Sequence, residues 1–136
     1  MGLFNREPSF EDLSRNYEKA KFNHDCSQSI SVIIDLKKNL EAIQCFIERG
    51  DQETALFVTR KCCDNPIIAY NKENLPFVGL TSIQEDILSE IYNINPNFAS
   101  DPMNGLFHVA RNNMLSRVVQ ACNTAQKKIE NARAGY

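Results

Sequence analysis

The sequence predicts an all-α fold: a bundle of four to five helices with an N-terminal αα-hairpin and a long C-terminal helix. Three observations carry this expectation. From Ser9 to Arg49 there is no glycine or proline, and the apolar residues step by three and four, as a helix face requires. Arg49-Gly50-Asp51 then offers a left-handed stop and an immediate cap for a second helix. Asp101-Pro102 opens a third long apolar stripe with no later proline.

Residues 1–8 read as a flexible lead and residues 9–136 as a single helical domain. Ser9-Phe10-Glu11-Asp12 is a capping box in which Asp12 stands where Glu is usual. The first helix carries Phe10, Leu13, Tyr17 and Ala20, then Ile33, Leu36, Leu40, Ile43 and Ile47. The two sets are out of phase across His24–Ser29, which are mediocre helix formers. With no strong breaker there, one continuous or slightly kinked helix is expected over 9–49. The next helix, Gln52–Cys63, would run antiparallel to it, with Ala55, Leu56, Val58, Thr59 and Cys62 near the contact.

Residues 66–80 contain Pro76 and Gly79 but also many apolar side chains. They are expected to pack across the helix ends, with a short helical turn at 66–71. Thr81-Ser82-Ile83-Gln84 reads as a capping box opening a helix to about Tyr92. The terminal helix should then begin after Pro102 and run unbroken to about Arg133. Its stripe, Phe107, Ala110, Met114, Val118, Ala121, Ala125, Ile129 and Ala132, repeats at eleven residues, about 3.67 per turn.

Phe46-Ile47-Glu48-Arg49-Gly50-Asp51-Gln52-Glu53-Thr54-Ala55, with Met1-Gly2-Leu3-Phe4 ahead of it, resembles the first helical hairpin of ESCRT-III-type membrane-remodelling proteins. Its Gly-Asp-x-x-x-Ala turn is also similar to that of tetratricopeptide-like hairpins. The similarity covers a small part of the chain. The strongly basic first helix of the ESCRT-III families is missing, and Pro66, Pro76 and Gly79 interrupt where their long second helix would run. What the resemblance implies is a helical hairpin, and no family is assigned from it.

Composition narrows the function classes. Hydrophobic residues are 43% and charged residues 24% of 136, which suits a folded globular chain with a sizeable core. No apolar run approaches the length of a membrane span, and the first residues lack a secretory pattern. Five cysteines without a regular spacing read as reduced thiols. A cytoplasmic location is expected from these features.

No phosphate-binding, hydrolase or metalloprotease motif occurs, so no catalytic residue is nominated. His24 and His108 are the only histidines, and nothing in the sequence brings either to a cysteine. His24-x-Cys26 with Cys62-Cys63 lacks a zinc-ligand spacing, so no metal or other cofactor is expected.

Charge is segregated. Glu85, Asp86, Glu90 and Asp101 carry residues 81–101, whereas Arg111, Arg117, Lys127, Lys128 and Arg133 oppose only Glu130 in 102–133. The simpler explanation is that the acidic segment folds against the basic one. The resulting expectation is a non-enzymatic protein–protein interaction module, of adaptor, assembly or inhibitor type. It would act through apolar helix faces on another protein or as a homodimer, with Arg111, Met114, Arg117 and Val118 as contact residues. The alternative is a nucleic-acid-binding regulator using the basic face of the last helix. A small helical enzyme or cofactor-binding protein ranks third.

Overall fold

The computed structural model describes residues 9–69 and 80–135. The expected lead at 1–8, and the part of the apolar connection at 70–79, lie outside the described residues. Six α-helices and one 3-10 turn make up the rest: α1 Phe10–Glu48, α2 Gln52–Cys63, α3 Pro66–Ala69, α4 Leu80–Ile94, the 3-10 turn Pro96–Ala99, α5 Pro102–Arg111 and α6 Leu115–Gly135. The fold is all-α, as expected.

Local signals place most of these boundaries. At the start of α1 the Asp12 amide donates to Ser9 Oγ at 3.1 Å, and the Ser9 amide donates to Asp12 Oδ2 at 3.4 Å. This is the reciprocal capping box. α1 then runs unbroken for 39 residues, about 58 Å at the α-helical rise. It ends where Gly50 takes φ +79°, a conformation that costs glycine least. The Gly50 amide donates to Ile47 O at 3.0 Å and that of Asp51 to Phe46 O at 2.9 Å, which closes a Schellman turn. Asp51 caps α2 at once, accepting from the Thr54 amide at 3.1 Å and the Thr54 hydroxyl at 2.6 Å. Those two bonds favour the carboxylate and hold its pKa below the usual value, the hydroxyl contributing more.

The core is one continuous cluster. Cys26, Ile30, Ile33, Leu36, Leu40 and Ile43 of α1 meet Leu115, Val118, Cys122, Ala125 and Ile129 of α6. Cys62 of α2, Ile67 and Ile68 of α3, Ile87 and Ile91 of α4, Phe98 and Leu106 complete it. Ala55, Thr59 and Cys62 of α2 are buried as expected, with Leu56 and Val58 half-buried. α6 lies antiparallel to α1: Leu115 and Val119 face Leu40, Gln44 and Cys45, and Arg133 reaches Ser27 at 3.2 Å.

Two expectations are corrected. The terminal helix is broken: α5 stops at Arg111 and α6 starts at Leu115. The Asn113 amide donates to Ala110 O at 3.0 Å and that of Met114 to Val109 O at 3.1 Å, with Asn113 at φ 59°. This is a second Schellman turn, with asparagine filling the left-handed position that glycine fills after α1. The regular stripe continues across the turn only in numbering; Met114 sits in the turn and is exposed.

Gln84 is also not a capping residue, since α4 already includes Leu80. Its side chain is fully buried and donates from Nε2 to Ile67 O at 2.9 Å. Asn65 works beside it, donating to Val32 O at 3.0 Å and accepting from the Ile67 amide at 3.0 Å. These two amides pin short α3 between α1 and α4.

Gly105 of α5 is required by close approach. A Cβ there would lie 2.5 Å from Phe98 Cα, a backbone atom that cannot swing away. Gly105→Ala is expected to lower the unfolding free energy by about 2 kcal/mol or more. Gly135→Ala, which meets nothing within 4 Å, should leave it unchanged; urea denaturation of both reads the difference. At the α5–α6 turn, Asn113→Gly should be neutral or stabilising. Asn113→Val should cost about 1–2 kcal/mol through the left-handed backbone, measured by the same denaturation.

Candidate interaction surface

Burial along α1 is lopsided. Among the described residues none before Cys26 is fully buried, whereas from Cys26 onward the helix supplies six apolar side chains to the core. The bond from Arg133 to Ser27 shows that the last turn of α6 has already reached this level. The preceding stretch, Phe10–Lys21, is an arm about 18 Å long, and Phe22 beyond it already packs partly buried against the core. It carries Phe10 at 83%, Leu13 at 54% and Tyr17 at 70% exposure, three of the largest apolar side chains in open water.

Helical geometry explains why the bundle does not cover them. At about 100° per residue, Phe10, Leu13 and Tyr17 centre on one direction, and the Cys26–Ile43 set on another about 150° away. The arm's stripe therefore faces away from the helices that pack on the rest of α1. Together the three side chains offer on the order of 400 Å² of apolar surface, the size of patch that in monomers is often functional. On the opposite side of the arm Arg15 pairs with Asp12 at 2.8 Å, with both side chains about half or more exposed.

The four residues nominated from sequence are dispersed. Val118 is fully buried in the chain's own core, so it is not surface; its place in the stripe reflected packing against α1. Arg117 is exposed on its free side and pairs with Glu90 of α4 at 2.8 Å. Arg111 stacks over the Phe107 ring, 5.9 Å from its centroid. Met114, at 38% exposure, is the apolar member of the set that remains at the surface.

The acidic and basic segments do meet: Lys128 pairs with Asp86 at 3.1 Å beside the Arg117–Glu90 pair. The basic face is thereby partly matched from within the chain. The arm's stripe is the first apolar set of α1, and its phase offset across His24–Ser29 is what turns it away from the core.

Other features are less directed. An open groove of about 300 Å³ lies between Leu40, Gln44 and Cys45 of α1 and Leu115 and Val119 of α6. That is the small end of the range for ligand pockets, which starts at about 300 Å³. His24 bonds to Gln28 at 3.0 Å and His108 is exposed on α5. Among the described residues no helix is long and apolar enough to cross a membrane.

The cysteines are free thiols, with Cys26, Cys62 and Cys122 buried. Burial raises the pKa of Cys122 to about 12 and that of Cys63 to about 11. Cys62 goes above the thiol range, through burial first and its neighbours Cys63 and Cys122 next.

The fold and this surface define the protein as an all-α helical bundle with a projecting amphipathic arm. No family model matches the chain, and neither a curated protein nor a solved structure matches it.

The raised thiol values have a measurable sign. Burial favours the neutral thiol, so the contribution of Cys122 is complete below its ordinary value of 9.0 and is lost as the pH rises toward about 12. Thermal melts should therefore show a decline above about pH 9 that is shallower in Cys122→Ala. In native protein at pH 8, Cys62 and Cys122 should resist a thiol reagent that labels all five cysteines after denaturation.

Proposed function

We propose that this chain is a non-enzymatic protein–protein interaction module that binds through the apolar face of the α1 arm. The observation that carries the reading is the exposure of Phe10, Leu13 and Tyr17 on a face turned away from the core. A folded chain gains nothing from holding two aromatics and a leucine in water on an ordered helix. A partner that covers them gains the burial free energy, roughly 1.5–3 kcal/mol for each side chain fully removed from water.

The spacing of the three residues is the i, i+3, i+7 register by which helices recognise grooves and other helices. Aromatic anchors of this kind dominate binding energy where they occur. The charges around the arm, Glu11, Asp12, Arg15, Glu18, Lys19 and Lys21, would set orientation and discourage wrong registers. The partial pairing of Arg117 and Lys128 with α4 lowers the case for a nucleic-acid surface on α6.

The test is an affinity capture with the full chain as bait, run beside Leu13→Asp/Tyr17→Asp and Arg111→Glu/Met114→Asp variants. Both pairs change exposed positions, so melting temperatures should stay close to that of the parent. Loss of captured protein with the arm variant and retention with the other is the expected outcome. Capture that survives the arm variant and disappears with the α5–α6 variant would move the binding face to the turn and overturn the reading.

A further inference from the structure

We infer that the groove between α1 and α6 is a binding site for a small organic cation, an ammonium group carried on a compact aryl or alkyl body. The site is separate from the arm, since Leu40, where it begins, lies about 28 Å along α1 from Lys21.

The floor of the groove is apolar. Leu40 and Leu115 are at or near zero exposure, and Val119 and Cys45 beside them are half-buried. The space of about 300 Å³ stands at the lower limit for ligand pockets, so the occupant is small. Cys45 is a free thiol, and its sulfur is polarizable and packs well against an aromatic ring.

The ionic groups around this floor have one sign. Glu41 and Glu48 stand two turns apart on α1, about 10 Å along the axis and within about 20° of one direction. Both are exposed, and neither belongs to an ion pair among the described residues. Gln44, on the turn between them, donates its amide nitrogen to Glu48 Oε1 at 3.3 Å and leaves its own Oε1 without a partner. Among the described residues the lining holds no lysine, arginine or histidine. Lys37, one turn before Glu41, lies beside Cys122 and outside it.

Magnitudes favour a cation over a neutral or anionic occupant. The start of α6 brings the positive end of a helix dipole to Leu115, equivalent to about half a charge, against two full carboxylates. Each exposed carboxylate favours a monocation by about two- to fivefold in affinity, and the two together by about tenfold. Residues 1–8 cannot supply the cation. The described chain begins about 46 Å from Leu40 along α1, and eight residues span at most about 29 Å.

The test titrates phenethylammonium into the nitrogen-15-labelled full chain near neutral pH and follows amide chemical shifts. Saturable shifts confined to residues 40–48 and 115–120 are expected, with a dissociation constant on the order of 1 mM for a ligand of so few atoms. The neutral counterpart 2-phenylethanol should bind about tenfold more weakly. Glu41→Gln/Glu48→Gln changes two exposed positions, so it should keep the parent's melting temperature. In that variant ammonium and alcohol should bind within about twofold of each other. Alkylation of Cys45 by iodoacetamide gives a second reading: saturating phenethylammonium should slow it about threefold or more and leave Cys63, outside the groove, unchanged.

Shifts scattered over the surface, or none that saturate by about 10 mM, overturn the assignment. Equal binding of the alcohol to the parent chain overturns it as well. So does an ammonium preference that survives the double variant, because the carboxylates then play no part.

Discussion

The structure depends on the burial of one face of α1, from Cys26 to Ile43, against α6. Leu36, Leu40 and Ile43 on one side and Leu115, Val118 and Ile129 on the other are all at or near zero exposure. The helices α2 to α5 pack against α1 or α6 of this seam. α2 turns back on α1 through the Gly50 stop, and α4 lies along α6. The 3-10 turn and α5 close the end through Phe98 against Gly105. Removing any of these large aliphatic side chains would cost about 2–5 kcal/mol, a large share of the total stability of a domain this size. The seam also limits the molecule, because α6 is only 21 residues long and α1 is 39. Part of α1 must extend beyond its partner, and the arm is that part.

Polar groups inside the bundle fix the pieces that hydrophobic burial alone would leave loose. α3 has only four residues, too few to be stable by itself. Asn65 and Gln84 hold it by bonds to backbone groups of α1 and of α3 itself. Ser29 and Thr59 are buried but their hydroxyls donate to the carbonyls four residues earlier, at 2.8 and 2.7 Å. Such satisfied groups cost little, whereas an unpaired hydroxyl in the same place would cost about 1–3 kcal/mol. Ser29 and Thr59 therefore sit on inner faces at little cost.

Much of this fold was legible because its helix boundaries are set by adjacent residues. Ser9 with Asp12, Gly50 with Asp51 and Asp101 with Pro102 each act within one turn, and a single sequence displays them in full. The break at Asn113 was harder to read. Asparagine tolerates the left-handed conformation but also survives in helices, and Ala110, Met114 and Val118 happen to keep the step of four across the turn. Gln84 was misread for a different reason. Its spacing from Thr81 mimics a cap, while its actual bonds go to residues 17 and 18 positions earlier, a relation no local pattern contains. Val118 failed as a surface nominee on the same ground: an apolar stripe shows which residues seek cover and not whether the chain itself supplies it.

The charges argue for the same division between what the chain covers and what it leaves open. Glu90 with Arg117 and Asp86 with Lys128 join α4 to α6 in an antiparallel sense. Exposed pairs of this kind contribute about 0–1 kcal/mol each, too little to drive folding. They are well suited to choosing the direction in which α4 packs, because reversing it would set the acids away from the cations. A field matched within the chain also attracts polyanions less. The arm differs: among the described residues, Phe10, Leu13 and Tyr17 take no part in the core cluster. Local helix energetics hold the arm in shape through the Ser9 cap and the Asp12–Arg15 pair. What they do not provide is a dry surface for Phe10, Leu13 and Tyr17, which stay 83%, 54% and 70% exposed.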